Sequence, residues 1–549
     1  MLKARFFVSV LLSILYVFIS CEQNPTSNVA IKEKSLPSKT SGLKIKGIIF
    51  SSEQKIAEEK KEGIVIENLE VFGRSDFIDE MEKFIGRPLD NDIVNEIKDA
   101  ALLYFRKKGY PFVVIDIPAF QEVSSGIVHL QVIQSKVGKI EARGARFFSN
   151  EKLKKKLSVE EGDLINPKEI LRDLVFINQN PFLDSSIYYK KSSEIDKTDL
   201  VLETKDKLPL RFYGGYDFSG YNVAGESRYF VGINIGSLYF VDHRIDYQYM
   251  FNPNVEHWQG HSAAYEMPLF FRTTFKAYGY YIECKPDFPT DGVSHGRSWM
   301  VAGKYLMPII YQKFRSDAIV GYEFKRTNNF LTFIDETLYN HYTDISQFLL
   351  AYEGKNYDSF GKTEFSLYLY LSPGNMMHHN QSRFFQVERP KANSSYVYGL
   401  ATINRQTNLY FDFTWDLFVK AQKSSARLLP SEEFSLGGYL TVRGYGENTI
   451  IGDDGILIKN ELRTPVFSIF QKDLDFCYLL LFVDYGSVWE VDPNIENRKS
   501  SSLSSIGAGL RYNIKDYLTA RFDYGFQLER AFVDHKRTSR AHVGVVLSY

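Results

Sequence analysis

Alternation of apolar and polar residues dominates the chain from about residue 209 to its last residue. Stretches of about ten residues place large apolar side chains on one parity and polar or small ones on the other. Residues 408–420 show the pattern without interruption, which predicts a single strand there. A period of two indicates strands with two different faces. Because one face is aromatic and the other polar, the pattern is typical of a transmembrane barrel with lipid outside and water inside.

The length of this alternating region sets the size of the predicted barrel. We assign residues 207–549 to it. Transmembrane strands with their turns use roughly 20 residues each, which predicts about 16 antiparallel strands. Beyond the N-terminal segment, no stretch is apolar over about eighteen residues, which excludes a bundle of transmembrane helices. The most regular alternation occurs in residues 229–235, 245–251, 364–371, 518–528 and 543–549.

Residues 1–21 have the pattern of an export signal. A basic start precedes an apolar stretch, residues 6–19, that is too short to span a bilayer as a helix. The sequence before Cys21 is similar to a lipobox, the site at which a cysteine is lipidated, although Phe18 replaces the usual leucine. Lipidation of Cys21 and ordinary signal-peptidase cleavage are therefore both open.

Between the signal and the barrel, the periodicity changes and predicts two mixed domains. We expect residues 22–62 to form a linker or N-terminal extension, in which residues 22–40 are polar, residues 43–50 are strand-like and residues 53–62 are charged. Residues 63–138 are predicted to follow the order β-α-α-β-β, with an apolar stripe on the second helix. Residues 139–206 repeat this order, with Pro167 opening a helix. The predicted fold is therefore mainly β, with two small α+β domains preceding the barrel.

Composition narrows the classes of function. Lys and Arg together number 66 against 67 for Asp and Glu, so no excess of charge indicates a nucleic-acid partner. Phe (43) and Tyr (36) are abundant, as the aromatic girdles of a membrane barrel require. The other two cysteines, Cys284 and Cys477, have no ligand spacing, so we expect neither a disulfide framework nor a metal site. Since no catalytic or phosphate-binding motif has support, we expect no enzyme activity and no cofactor.

Several motifs occur in the order found in one family of membrane barrels. They are the loop Val442, Arg443, Gly444 and Tyr445, the pattern Phe-x-Asp-x-Gly formed by Phe482, Asp484 and Gly486, and segments within residues 109–130 and 178–182. The last two are similar to parts of the first and second POTRA domains of that family. The chain thus resembles the outer-membrane transporters of two-partner secretion, of the haemolysin secretion/activation type within the POTRA-plus-barrel superfamily. The similarity covers most of residues 64–549.

The resemblance implies a place for the Val-Arg-Gly-Tyr loop. In the family, the loop arginine enters the barrel and meets the aspartate of Phe-x-Asp-x-Gly, which would pair Arg443 with Asp484. The residue pattern agrees, because Asp484 shares its parity with Phe482 and should face the lumen. The alternative is a surface Arg443 and a solvated Asp484. Gly444 fits a tight loop tip, and we expect Gly486 to ease strand curvature.

The resemblance also implies partners and a location. The protein would lie in the outer membrane of a Gram-negative-type bacterium, with its POTRA domains in the periplasm. These domains would bind the N-terminal secretion domain of an unfolded exoprotein, which would leave the cell through the barrel. Outer-membrane lipid and the barrel-assembly machinery, needed for the protein's own insertion, would be further partners. Family members often carry an N-terminal plug helix, but residues 22–40 would make a poor amphipathic helix.

Two other functions are weighed against secretion. A barrel-assembly insertase of the same superfamily would fold other barrels into the membrane, but such proteins usually carry more than two POTRA domains. A porin-like channel would need neither tandem POTRA domains nor the Val-Arg-Gly-Tyr loop. Secretion is therefore the preferred interpretation of the sequence.

Overall fold

The fold is seen in a computed structural model. The export signal, Cys21 and most of the expected linker lie outside the described residues, as does part of the first-domain motif near residue 120. The chain forms two compact units, one ending near residue 133 and one that includes the barrel. No described helix is long and apolar enough to cross a membrane. The structure describes residues 42–52, 62–69, 71, 73–110, 112–118, 125–194, 196–220, 225–237, 242–285, 292–311, 314–333, 336–492, 500–530 and 537–549.

The first unit is a four-stranded sheet with two helices. Its sheet order is β2-β1-β4-β3, and β1 runs parallel to both β2 and β4. The predicted apolar stripe of the second helix is buried at Ile93, Ile97, Ala101 and Tyr104. The elements are β1 (Gly47–Ser51), β2 (Gly63–Glu67), α1 (Arg74–Glu82), α2 (Asn91–Lys108), β3 (Val113–Asp116) and β4 (Ile127–Gln134).

The position of β1 corrects the expected boundary of the first domain. Residues 22–62 were assigned to a linker, yet β1 lies within them and occupies a central place in the sheet. All five of its residues are buried, because a strand with neighbours on both sides and covered faces exposes nothing to water. The domain therefore begins before residue 63.

The second small domain packs three strands against two helices, and it belongs to the same unit as the barrel. Its sheet order is β5-β7-β6. Side chains cap both helices, since Ser149 accepts from the Lys152 N–H and Asn166 accepts from the Lys168 N–H. The elements are β5 (Lys136–Arg143), α3 (Asn150–Lys154), α4 (Pro167–Ile177), β6 (Leu183–Lys191) and β7 (Lys197–Asp206).

The barrel is closed and has 16 antiparallel strands, which confirms the predicted fold class. Closure occurs where the last strand pairs with the first, from Gly544↔Asp217 to Ser548↔Tyr213. The first eleven wall strands are β8 (Leu210–Asp217), β9 (Arg228–Ile235), β10 (Arg244–Phe251), β11 (Trp258–Pro268), β12 (Thr274–Cys284), β13 (Gly292–Tyr311), β14 (Phe314–Phe333), β15 (Glu336–Asp358), β16 (Gly361–Ser372), β17 (Tyr396–Asn408) and β18 (Thr414–Ser424), with α5 (Ser382–Glu388) between β16 and β17.

Two short strands leave the wall after β18. They are β19 (Phe434–Leu436) and β20 (Ile450–Gly452), which pair with each other as a separate hairpin. The wall then continues with β21 (Asp454–Arg463), β22 (Asp475–Trp489), β23 (Ser500–Ile514), β24 (Leu518–Gln527) and β25 (Ser539–Ser548). We call residues 425–453 the inward loop. β8 starts next to the second small domain, and successive antiparallel strands alternate in direction. β18 therefore runs in the same direction as β8, so the inward loop begins and ends at the barrel end opposite the start of β8.

The single strand predicted for residues 408–420 is wrong. The segment contains the tight turn between β17 and β18, and the pair Asn408↔Thr414 closes the hairpin. Phe411 and Asp412 have φ values of 59° in that turn. The aromatic side chains at the turn continued the alternation, so local periodicity did not distinguish them from strand residues.

The wall residues face the sides that their parity predicted. On β22, Leu481 and Val483 are exposed on the outer face, while Phe482 and Asp484 are buried on the inner one. The barrel therefore presents apolar side chains outward and encloses polar ones, as a transmembrane barrel requires.

Candidate functional site: the inward loop

The inward loop is packed inside the barrel by its own apolar residues. The hairpin β19–β20 and the loop tip contribute side chains to one buried cluster with the wall strands. Val442 and Tyr445 of the Val-Arg-Gly-Tyr loop are both buried in it. The cluster consists of Phe434, Leu436, Val442, Tyr445, Ile450, Leu457, Val488 and Leu503.

Arg443 makes a two-pronged contact with Asp484 of β22. Its Nε donates to Asp484 Oδ2 at 2.7 Å and its Nη2 donates to Oδ1 at 2.8 Å. The backbone N–H of Arg443 also donates to Oδ2, at 3.1 Å. Both side chains are fully buried. Parallel N–H···O bonds of this kind fix the orientation of the guanidinium as well as its position.

Two further carboxylates complete an acidic pocket for the arginine. Nη1 of Arg443 donates to Glu461 of β21 at 2.8 Å and to Asp523 of β24 at 3.3 Å. The guanidinium carbon lies 3.6 Å from the ring centroid of Phe482, so the ring covers one face of the cation. Burial alone would lower the pKa of Arg443, but these carboxylates outweigh it and raise the pKa above its ordinary value. The arginine is therefore held as a cation.

The loop backbone touches the wall next to Arg443. Gly444 has a φ of 91°, its N–H donates to His542 Nε2 at 3.1 Å, and its carbonyl accepts from Gln527 at 2.7 Å. A Cβ on Gly525 of β24 would lie 2.7 Å from the Gly444 nitrogen. The absence of a side chain at Gly525 therefore lets the loop tip lie directly on the strand.

Tyr445 attaches the loop at a third point. Its hydroxyl lies 2.9 Å from the Ser504 carbonyl oxygen and 2.7 Å from that of Glu529, and it accepts from the Glu529 N–H. Hydroxyl and ring together bind the loop to the end of β24 and to β23. Consecutive residues of the motif thus contact strands β21 to β25.

The role expected for Gly486 needs correction. A Cβ at this position would lie 2.6 Å from Leu436 Cδ1, so the glycine leaves room for the hairpin side chain of the inward loop. The sequence led us to expect that Gly486 eases the curvature of its own strand, β22. Its neighbour in the tertiary structure comes from a loop, and no periodicity along β22 could have revealed it.

The sequence motifs located part of this site. They named Arg443, Asp484 and Phe482, which the structure brings together. They did not name Glu461, Asp523, Gly525, Gln527 or His542 as site residues. A signal did exist for Asp523, since it lies on the polar parity of the predicted strand 518–528. Choosing it among other polar residues required the register between strands.

The described residues offer little for other chemistry. Within them, no group of three or more His, Cys, Asp or Glu side chains is arranged to hold a metal ion. Cys284 and Cys477 are free thiols. The inward loop is therefore the site on which a function is best argued.

Comparison with protein families supports a transport function. The family profile "Haemolysin secretion/activation protein ShlB/FhaC/HecB" matches residues 196–512. The POTRA profile, described as a surface antigen variable number repeat, matches residues 135–206. A search of curated proteins finds no significant match.

Three solved structures are similar in fold. CdiB from Escherichia coli aligns with a TM-score of 0.77 at 16% identity, covering 94% of this chain and 93% of its own. CdiB from Acinetobacter baumannii gives 0.68 at 17% identity, covering 99% and 97%. BamA from Haemophilus ducreyi lacking POTRA domains 1–3 gives 0.51 at 12% identity, covering 86% and 97%. Because the family profile covers more than half of the chain, this protein belongs to the ShlB/FhaC/HecB family and is an outer-membrane transporter of two-partner secretion.

Proposed function

We propose that an extended exoprotein docks on the POTRA domains in the periplasm and then crosses the lumen, with the inward loop as the gate. The family supplies the coarser statement, a transporter with an exoprotein partner. The observation that carries the gate is the enclosure of Arg443 by carboxylates of the barrel wall. A loop held in this way occupies the space that a passing chain would use.

The chemistry of the loop contacts suits a gate. Arg443 and Gly444 are held by hydrogen bonds to side chains of the wall, and the wall strands keep their own ladder intact behind them. Water can replace these hydrogen bonds when the loop shifts, so the net cost of release is smaller than their strength in isolation. The loop can therefore move while the barrel stays closed.

The second POTRA domain offers one open sheet edge for docking. The β5 edge is covered by backbone hydrogen bonds. The Val137 N–H donates to the Asp163 carbonyl at 2.7 Å, and the Val137 carbonyl accepts from the Gly162 N–H. Among the residues that the structure describes, none makes such backbone hydrogen bonds to the outer edge of β6 along its second half. An extended segment could add to this edge by backbone hydrogen bonds, which tolerate varied sequence.

The alternation of hydrogen bonding along β6 identifies the backbone N–H groups that point away from β7. The Lys207 N–H donates to the Phe182 carbonyl, in the same register as the β6–β7 pairs. Because hydrogen-bonded pairs alternate with non-bonded pairs along antiparallel strands, the even-numbered residues of β6 are those that hydrogen-bond to β7. The N–H groups of Ile187, Tyr189 and Lys191 then point away from β7. These are the backbone groups that an added strand would meet.

The same domain is fixed to the barrel by charged contacts. Arg272, in the turn between β11 and β12, donates from Nε to the buried Asp173 at 2.7 Å and from Nη2 to Glu169 at 2.7 Å. The positive charge of Arg272 lowers the pKa of Glu169 against the opposing effect of burial. An exoprotein segment docked on β6 would thus be held at the barrel end from which transport starts.

A pair of substitutions at one residue tests the docking edge. Tyr189→Pro removes the outward N–H, and an edge strand tolerates proline. Tyr189→Ala removes the same ring, including its contact with Phe112, but keeps the N–H. We expect the proline variant to lose most binding of an exoprotein secretion domain, measured with purified transporter, and the alanine variant to keep it. Equal binding by both variants would refute docking on β6.

The remaining partners and the location complete the proposal. The outward apolar residues of the wall would contact outer-membrane lipid, and insertion would use the barrel-assembly machinery. The POTRA domains would lie in the periplasm. An insertase function is less well supported, because the likeness to BamA is weaker than the likeness to the two CdiB structures.

A further inference from the structure

A second charged residue of the inward loop is buried against the barrel wall. Glu432 lies two residues before the start of β19, and its side chain is only 1% exposed. Its Oε1 accepts from Lys325 Nζ at 2.7 Å. Its Oε2 accepts from Gln347 Nε2 at 3.1 Å and from the Tyr398 hydroxyl at 2.7 Å. Both oxygens of this carboxylate are therefore satisfied by the wall.

The partners of Glu432 belong to a different part of the wall from those of Arg443. Lys325, Gln347 and Tyr398 lie on β14, β15 and β17. The carboxylates around Arg443 lie on β21, β22 and β24. In the order of strands around the barrel, the two groups share no strand. The loop is thus attached to two separate arcs of the lumen, by charges of opposite sign.

The surroundings of Glu432 form a connected polar network. Gln347 also donates to Glu323 at 3.0 Å, and Glu323 accepts from the Tyr278 hydroxyl at 2.6 Å. Lys325 lies 3.8 Å from Glu323, so the lysine stands between two carboxylates. Such a network orients each side chain before the loop arrives and makes the position of Glu432 specific.

The backbone at Glu432 is tied to the wall as well. Gln422 of β18 donates from Nε2 to the carbonyls of Glu432 and Asp453, each at 3.0 Å. Asp453 is the last residue of the inward loop, so one side chain joins both ends of the loop. This arrangement holds the base of the loop closed and directs Glu432 toward β14.

We propose that Glu432 is a second anchor of the inward loop, and that passage of the exoprotein requires release of both the Glu432 and the Arg443 contacts. This inference rests on the proposed gate. Attachment at the loop tip, by Arg443, Gly444 and Tyr445, would leave the rest of the loop able to swing about the tip. Attachment at Glu432 prevents that movement, because the two anchors lie on either side of the hairpin strand β19 and on different wall strands.

The test uses full-length purified protein in planar lipid bilayers, without exoprotein. Glu432→Gln keeps the shape and the acceptor for Tyr398 but removes the charge facing Lys325. We expect about a tenfold higher fraction of time in open-channel states, the effect of losing one charge-assisted hydrogen bond. The control is Asp492→Asn, which removes the same charge from an exposed surface pair with Lys391. It should behave like the wild type.

A second measurement reports the position of the loop directly. Leu440 is exposed near the loop tip, and a cysteine there, in a background lacking Cys21, Cys284 and Cys477, can be labelled by a maleimide reagent. We expect several-fold faster labelling in Glu432→Gln than in the parent, again with Asp492→Asn as the control. Labelling needs no transport, so a structural effect on secretion cannot imitate it.

The outcomes separate this inference from the proposed gate. If Arg443→Ala changes conductance and labelling while Glu432→Gln leaves both at control values, the second anchor is refuted and the gate stands. If neither variant changes them, the gate itself fails. Should Glu432→Gln not yield a heat-modifiable barrel, Tyr398→Phe removes a single donor and decides by the same two readings.

Discussion

The two attachments of the inward loop differ in what surrounds the charge. Arg443 lies among three carboxylates, Asp484, Glu461 and Asp523, under an aromatic ring. Glu432 meets one cation of the wall, Lys325, and two neutral donors of the wall, Gln347 and Tyr398. The first is a cation in an acidic pocket, and the second is an anion in a nearly neutral network.

This difference determines what each wall loses when the loop leaves. Without Arg443, the buried Asp484 loses the cation that binds it and must be hydrated or protonated, whereas Glu461 keeps Arg463 at 2.7 Å and Asp523 keeps Arg511 at 3.0 Å. Without Glu432, Lys325 still has Glu323 at 3.8 Å. The arginine attachment should therefore resist release more strongly, and its loss should disturb the lumen more. An anchor's strength depends on the charges left behind as much as on its own bonds.

Removal of Arg443 should have the largest effect. We expect Arg443→Ala to abolish most exoprotein secretion and to destabilise the seated loop by about 3 kcal/mol, the lower end for breaking a buried ion pair, because water can enter the lumen. Secretion and heat-modifiability of the barrel measure the two effects. Arg297→Ala, which changes a half-exposed arginine on β13, is the control. Normal export by Arg443→Ala would contradict the gate.

A second substitution can remove the negative charge that Arg443→Ala leaves unpaired. If the uncompensated carboxylate of Asp484 causes the damage, adding Asp484→Asn to Arg443→Ala should recover part of the barrel's thermal stability. No recovery would mean that the contacts of Arg443, and not the charges it leaves, dominate.

A smaller effect is expected from the wall beneath the loop tip. In Gly525→Ala, the new Cβ would lie 2.7 Å from the Gly444 nitrogen, so the tip must lift while both charged anchors remain. We expect secretion and loop position to change by a few-fold, in line with overpacking costs of about 1–3 kcal/mol. Gly399→Ala on β17 is the control, since its Cβ would have 3.8 Å of room to the nearest atom. Equal behaviour of the two alanine variants would exclude close packing at Gly525.

The smallest effect should come from the titration of Glu447 in the inward loop. Burial raises the pKa of Glu447 to about 7, although the hydrogen bond that its carboxylate accepts from the Tyr439 N–H favours the charged form. An unfolded glutamate titrates near pH ~4.3, so the folded loop binds more protons between about pH 4.3 and 7. Stability therefore falls as pH rises through this window. Glu447→Gln should flatten that part of the pH dependence, measured by thermal unfolding from pH 5 to 8. An unchanged slope would show that Glu447 is not buried in the seated loop.

Periodicity predicted some elements well because their environment is regular. Wall strands repeat one contrast, lipid against lumen, so the alternation around Asp484 correctly placed it inside. It failed at residues 408–420, where aromatic turn residues continued the pattern. It also predicted a strand-like segment at residues 43–50 without indicating that β1 belongs to the first domain. In both cases the deciding contacts come from residues that the local pattern does not include.

Local residue patterns predicted the barrel and the two domains before it, and the resemblance to a transporter family implied the pairing of Arg443 with Asp484. No local pattern showed that Glu461 and Asp523 share the arginine, that Gly525 admits the loop, or that Glu432 reaches Lys325. These residues are brought together by the register of many strands around a closed wall. Register depends on all the strands at once, so no single segment of the chain encodes it.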